Sequence, residues 1–579
     1  MRLLSLDSHD EPILTQDLTK DIPAYAILSH TWGADGDEVT FQDVQSGSGQ
    51  SKAGYDKIRR CGQQAKKDGL QYFWVDTCCI DKSSSAELTE AINSMFQWYQ
   101  RSEVCYVFLS DLSESASLET DLQQCRWLTR GWTLQEFIAP KKVQFFDQDW
   151  NHRGSKRNSV ERLSNATGIN PAVLRHEQPL STVTVAQRMS WVGQRETTRI
   201  EDMAYCLLGI FDVNMPLVYG EKEKAFQRPQ EEIIKSTSDL SIFAWRMSPP
   251  WEGHHKSKTR HYCGVLAETP SCFIGCSQIS RDAGYGGHQF WTSNNGIKTR
   301  IQILSEPIKG KKKAFRYILP LDCYWTPQRF IGVKLRKCGP DQFVREDPWS
   351  LVEDTRDFYP NGPRERFLLS RLPGINISSH FLITDTSEFI AQSRSHVLQL
   401  RYPSEMVTID GWPWSRFDDE DQVFFINSNS PGYWDACSKR LGINVTVQTG
   451  EREVDVDIEC MFYALGWSSL EVDNLQCTLV DYRSFHAALT EVQSQITSWD
   501  HDSRQVLEQL AWNKIPKCSL VTVKIAGSDC SVAISFKPTL VRDKKVCRGQ
   551  FWRISFSCDV FQSGSLPHVI DEEWNIDHA

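Results

Sequence analysis

Over its first 150 positions the chain alternates short apolar runs with stretches whose apolar residues recur every three or four places. Runs of the first kind predict buried strands: Tyr25-Ala26-Ile27-Leu28-Ser29, Tyr72-Phe73-Trp74-Val75-Asp76, Val104 to Leu109 and Val143 to Phe146. Stretches of the second kind predict helices. Tyr55 to Asp68 puts Ile58, Cys61 and Ala65 on one stripe, and Ser85 to Arg101 does the same with Leu88, Ile92, Met95, Phe96 and Tyr99. Trp127 to Ile138 predicts a further helix, stopped by Pro140. Strands alternating with helices predict a parallel sheet with crossover helices.

The pattern changes twice further on. Residues 151–240 read as mainly helical: Ser159 to Thr167, Thr184 to Gln194, Ile200 to Leu208 and Gly220 to Ser236, punctuated by Pro171, Pro179 and Pro216. From 241 the texture is β. Ser241 to Trp245, Gly296 to Ile303, Phe315 to Leu321, Phe330 to Leu335, Val423 to Ile426, Leu520 to Ile525, Val532 to Phe536 and Phe551 to Phe556 predict short strands separated by turn residues, as in a sandwich or barrel. One helical interruption, Tyr482 to Trp499, falls inside this part, and the Pro- and Arg-rich stretch 345–415 predicts no clear element. The expected organisation is therefore an α/β domain over 1–150, a helical extension over 151–240 and a β-rich domain over 241–579.

Composition narrows the function classes. The net charge of the 579 residues is −10, which argues against general nucleic-acid binding because that leaves a basic footprint. With 40% hydrophobic and 24% charged residues, the bulk of the chain is expected to fold. The N-terminus turns polar within a few residues, and no apolar run is long enough for a membrane span. Eighteen cysteines in a chain of this length, with no Cys-x-x-Cys, fit a reducing compartment and predict a cytoplasmic protein. Cys272 and Cys276, with His261 and Cys263 nearby, leave a zinc site open against the alternative of scattered buried thiols. Phosphate-loop, zincin and Gly-x-Ser-x-Gly motifs are absent, which argues against those enzyme classes.

Three segments of the first 150 residues combine a predicted element with polar side chains at its end. In Ile27-Leu28-Ser29-His30-Thr31-Trp32-Gly33 a strand runs into small polar residues. In an open α/β sheet Ser29, His30 and Thr31 would sit at the mouth of a ligand crevice; otherwise they form a strand exit with His30 in a structural hydrogen bond. In Trp74-Val75-Asp76-Thr77-Cys78-Cys79-Ile80-Asp81, Asp76 either contacts a ligand hydroxyl or caps the next helix or pairs with an arginine. In Arg130-Gly131-Trp132-Thr133-Leu134-Gln135-Glu136, Trp132 and Glu136 are four apart and share a face of the predicted helix. A carboxyl beside an indole is partly desolvated, which raises its pKa and suits it to acid–base or ion-stabilising work. Thr133 and Glu136 also fit a capping box. A helix beginning there would be very short before Pro140, so the pattern favours an earlier start. Arg195 to Asp202 reads as a solvated helix start with salt bridges or as a partner surface, and Trp412, Trp414 and Trp434 as core aromatics or a ligand platform.

Taken together, Ala26 to Gly33, Trp74 to Asp81 and Arg130 to Glu136 resemble the fungal heterokaryon incompatibility (HET) domain. Ser190-Trp191, Arg195 to Asp202, Ala204 to Phe211 and Met215 to Glu221 resemble the segment that follows it. The resemblance implies self/non-self recognition at fungal cell fusion, with programmed cell death as the outcome. It also implies a domain similar to Toll/interleukin-receptor (TIR) domains, whose enzymes cleave NAD with a glutamate that follows a tryptophan by four. Carried over, Glu136 is the catalytic carboxylate, and Ser29, His30, Thr31 and Trp32, with Asp76 and Trp132, line the nucleotide crevice. NAD would be a substrate, and no metal or cofactor would be required. The implied partners are further copies of the chain and an upstream sensor. The alternative is a non-catalytic signalling module acting by homotypic assembly.

Overall fold

A computed structural model of the chain describes residues 1–34, 36–248, most of 262–354 and, from 380 to 562, chiefly the course of the strands. The helix expected over Tyr482 to Trp499, the side chain of Trp412, and Trp414, Trp434 and His261 lie outside the described residues.

The chain opens with an antiparallel hairpin of β1 (Leu4–Leu6) and β2 (Pro12–Leu14). Strand β3 (Tyr25–His30) follows and is buried along its whole length, as its unbroken apolar run requires. Helices α1 (Phe41–Ser46) and α2 (Tyr55–Lys67) lead to β4 (Tyr72–Trp74). The short α3 (Asp76–Cys79) and the long α4 (Ser85–Arg101), capped by Ser84 on the Glu87 amide, lead to β5 (Val104–Phe108). Helices α5 (Leu118–Asp121), α6 (Arg126–Thr129) and α7 (Thr133–Ile138) precede β6 (Val143–Phe146) and β7 (His152–Ser155).

These strands form one sheet in the order β2-β1-β4-β3-β5-β6-β7. Its centre, β4-β3-β5-β6, is parallel, and both margins are antiparallel. The chain thus leaves β3 toward β4 on one side and returns to β5 on the other. That reversal makes the carboxyl ends of β3 and β5 a topological switch point, where a crevice opens in sheets of this kind.

The expected helix over Trp127 to Ile138 is two helices. Arg130 between them is extended (φ −83°, ψ 139°), because the chain there is bridged to another segment. The Gly131 amide donates to the Glu196 carbonyl (2.9 Å) and the Glu196 amide to the Thr129 carbonyl (2.6 Å). A Cβ at Gly131 would lie 2.7 Å from Thr197 Cγ2, so a larger residue would press on the bridged segment. The capping box is not made either: Thr133 is the first residue of α7, and its hydroxyl donates to the Trp127 or Arg130 carbonyl.

The extension is helical in shorter pieces than the periodicity suggests, among them Val160–Thr167, Val185–Ser190, Asp202–Tyr205, Leu208–Phe211 and Gln227–Ser236. The strand expected at Ser241 to Trp245 is a 3-10 turn, Leu240–Phe243. The Asp239 carboxylate takes the amides of Ser241 (2.9 Å) and Val185 (2.8 Å), and this local cap overrides the apolar run. Arg195 to Asp202 is exposed at Glu196 and from Thr198 to Ile200 and runs into the helix at Asp202, but Arg195 is buried, and Glu201 accepts the Gly220 and Lys222 amides.

Beyond 262 the chain is β-rich, with sheets of ten, six and four strands. None of these closes into a barrel among the described residues, which corrects that half of the expectation. The stretch that predicted no element contributes strands such as Val397–Arg401 and Met406–Trp412. One hydrophobic cluster runs continuously from Leu3 to Phe343 and crosses position 240 without a break. Cys276 donates to the Ala244 carbonyl, and among the described residues no cluster of three or more His, Cys, Asp or Glu is placed to hold a metal ion. No described helix is long and apolar enough to cross a membrane.

Candidate functional site at the carboxyl end of the central strand

The site is built where β3 ends. Ser29 is fully buried, and its hydroxyl donates to Glu136 Oε2 on α7 at 2.6 Å. The Trp127 indole, on α6, donates to the same Ser29 oxygen at 2.7 Å. The Tyr99 hydroxyl, from α4, donates to the Leu28 carbonyl at 2.9 Å and lies within bonding reach of the Glu136 carboxyl. Glu136 is only 7% exposed. Burial, and next the negative charge of Asp76, push its pKa up to about 8, against the pull of Ser29, Tyr99 and Arg195. At neutral pH it is therefore mostly a neutral acid.

His30 and Trp32, further along the same strand exit, both meet Asp76. His30 Nε2 meets Asp76 Oδ1 at 3.0 Å, and the Trp32 indole donates to Asp76 Oδ2 at 2.9 Å. Burial resists ionisation of Asp76, but the His30 hydrogen bond and the positive charges of Lys82 and Lys57 outweigh it and hold its pKa at about 2. An ionised Asp76 only accepts, so Nε2 of His30 carries the proton. Nδ1 of His30 is buried and has no hydrogen-bond partner. Lys82 Nζ stands 3.7 Å over the Trp32 ring, whose residue is 47% exposed. A pocket of about 220 Å³ opens here, walled by Trp32, Glu38, Phe41, Thr77, Ile80 and Lys82. The buried Lys57–Glu38 pair (2.6 Å) braces it, with Glu38 also accepting the Gly33 amide.

The structure thus gathers Ser29, His30, Trp32, Asp76 and Glu136 around the end of β3, with Thr31 buried between them. It does not bring Trp132 there. The Trp132 indole is turned to the Asp202 carboxyl of the extension, and the indole wired to Glu136 is that of Trp127. Three participants escaped the sequence reading: Trp127, Tyr99 and Lys82. Tyr99 lies on the core stripe of its helix by spacing, and its position at the last turn beside β3 is a tertiary fact. Lys82 stands one residue beyond the Trp74–Asp81 motif.

Residues 25–121 match the sequence model of the family described as heterokaryon incompatibility protein (HET). That segment is similar to a HET domain. It is also similar to vegetative incompatibility protein HET-E-1 of Podospora anserina, with 49% identity over 327 residues, 54% of this chain. The aligned part is 24% of that relative, so the chain matches about a quarter of its length. No solved structure matches significantly. The family match takes in Ser29, His30, Trp32 and Asp76, whereas Trp127 and Glu136 follow its end.

Proposed function

We propose that this chain acts in heterokaryon incompatibility, and that its HET domain is TIR-like and hydrolyses NAD to nicotinamide and ADP-ribose. The family match and the name of the Podospora relative support the first part. The second is carried by one observation, the Ser29–Glu136 contact at the carboxyl end of the central parallel strand. The strand order and the adjoining pocket agree with it.

Breaking the nicotinamide–ribose bond develops an oxocarbenium-like cation, and the leaving group is already cationic, so little general-acid help is needed. A carboxylate beside the ribose stabilises that charge. Glu136 is neutral at rest, which spares the closed site a buried anion. An arriving pyridinium would favour its ionised form and draw its pKa down. Water then adds to the ribosyl carbon, giving ADP-ribose, nicotinamide and a proton. Asp76 and the Trp32–Lys82 stack would hold the rest of the nucleotide.

A second reading is favoured by the depth of Glu136, which does not line the pocket beside Trp32. On that reading the HET domain signals by homotypic assembly, and the carboxyl only packs. Expression of the chain and of Glu136→Gln in fungal cells separates the two. The catalytic reading expects death preceded by a fall in cellular NAD, and neither with Glu136→Gln at equal abundance. Death at undiminished NAD, or an equally toxic Glu136→Gln, favours assembly.

A further inference from the structure

We propose that Arg195 is a positioning residue for Glu136: from the segment that follows the HET match it ties down the interrupted helix and keeps the carboxyl on Ser29. The proposal rests on reading Glu136 as the working carboxyl.

Helix α7 has only six residues and no side chain capping its first turn, so its entry must be held from outside. Arg195 does this. Its Nη1 donates to the Arg130 carbonyl (2.8 Å) at the break and to the Thr133 hydroxyl (3.0 Å) at the start of α7. Its Nε donates to the Trp191 carbonyl (3.2 Å). Thr133 passes its own proton to the Trp127 carbonyl (2.5 Å) or the Arg130 carbonyl (2.9 Å), and the Trp127 indole holds Ser29. An unbroken path of hydrogen bonds and one side chain therefore joins Arg195 to the Ser29–Glu136 contact. The backbone bridge between Glu196 and residues 129–131 runs beside it.

Arg195 is buried, yet among the described residues none of its hydrogen bonds goes to a carboxylate. Its arrangement differs from the contact ion pair usual for an arginine at this depth. The one carboxylate whose charge acts on it is Glu136. The groups that face Glu136 are Asp76, Tyr99, Cys105, Ser29 and Arg195, and only the last brings a positive charge. His30 and Lys82 are engaged with Asp76. Arg195 thus sets both where the carboxyl sits and how readily it ionises.

The test is an infrared titration of the protonated carboxyl band in the full chain, assigned by its loss in Glu136→Gln. The wild-type midpoint is expected near 8. Arg195→Met should raise it, and Arg195→Lys should recover part of that shift. Thr133→Val keeps the charge but cuts the tie, and should raise the midpoint by less. An unchanged midpoint in folded Arg195→Met overturns the proposal. If that variant does not fold, an unchanged midpoint in Thr133→Val does so instead. Nicotinamide release is measured separately. Wild-type protein that titrates as expected but releases none defeats the NAD reading and leaves the role of Arg195 standing.

Discussion

Glu136 and Asp76 sit in one site yet hold their protons at opposite ends of the scale, about 8 and about 2. For Glu136 the consequence is a stability that depends on pH. Between the ordinary glutamate value of 4.5 and about 8, the folded chain keeps a proton that the unfolded chain has released. Its contribution is fully present below 4.5, is lost as pH rises toward 8 and is gone above that. The loss is on the order of a few kcal/mol. Glu136→Gln removes it, so thermal melts should show the variant more stable than wild type at pH 9 and little different at pH 4. An equal pH dependence in both would mean that the carboxyl is solvated. Asp76→Asn removes the like charge and should lower the Glu136 midpoint, the reverse of Arg195→Met, in the same infrared titration.

Elements in this chain are held as much by distant partners as by their own pattern. Helix α4 and strand β3 were legible because their signals are local: an apolar stripe at helical spacing, and an unbroken apolar run. The break at Arg130 was not, because it is made by Glu196 and Thr197 from far along the chain. The same reason turned Trp132 toward Asp202 and gave its expected place to Trp127. The site residues at the ends of β3 and β4 were legible from the motif; the wiring between them was not, since Ser29 and Glu136 are 107 positions apart. Gly209, in the helix Leu208–Phe211, shows a similar dependence. A Cβ there would lie 2.1 Å from Phe96 Cβ on α4. Gly209→Ala should cost about 1–3 kcal/mol in denaturant unfolding, as overpacking does. Adding Phe96→Ala should recover part of that loss; a cost unchanged in the double variant would place the strain elsewhere.

Across the whole molecule, the HET segment and its extension do not stop where the texture of the sequence changes. Arg345 donates to the carbonyls of Phe243 (2.9 Å) and Trp245, with its guanidinium 3.7 Å over the Trp245 ring. Gln230 exchanges hydrogen bonds with Ala267, and Thr184 donates to the Ile279 carbonyl. A chain ended at residue 240 loses these ties and uncovers part of the shared core. It should show lower amide-exchange protection over 184–236 than the full chain, and equal protection would establish an independent N-terminal unit. The β-rich part is therefore a structural partner of the extension, which composition did not reveal. We propose that Glu136, held on Ser29 at the end of β3, cleaves NAD. The most direct measurement is nicotinamide release by the purified full chain at high concentration, beside Glu136→Gln of matched fold. Release by wild type, reduced at least about 100-fold in the variant, is the predicted result. Equal release by both proteins, or none from a wild-type chain that still kills cells, would contradict it.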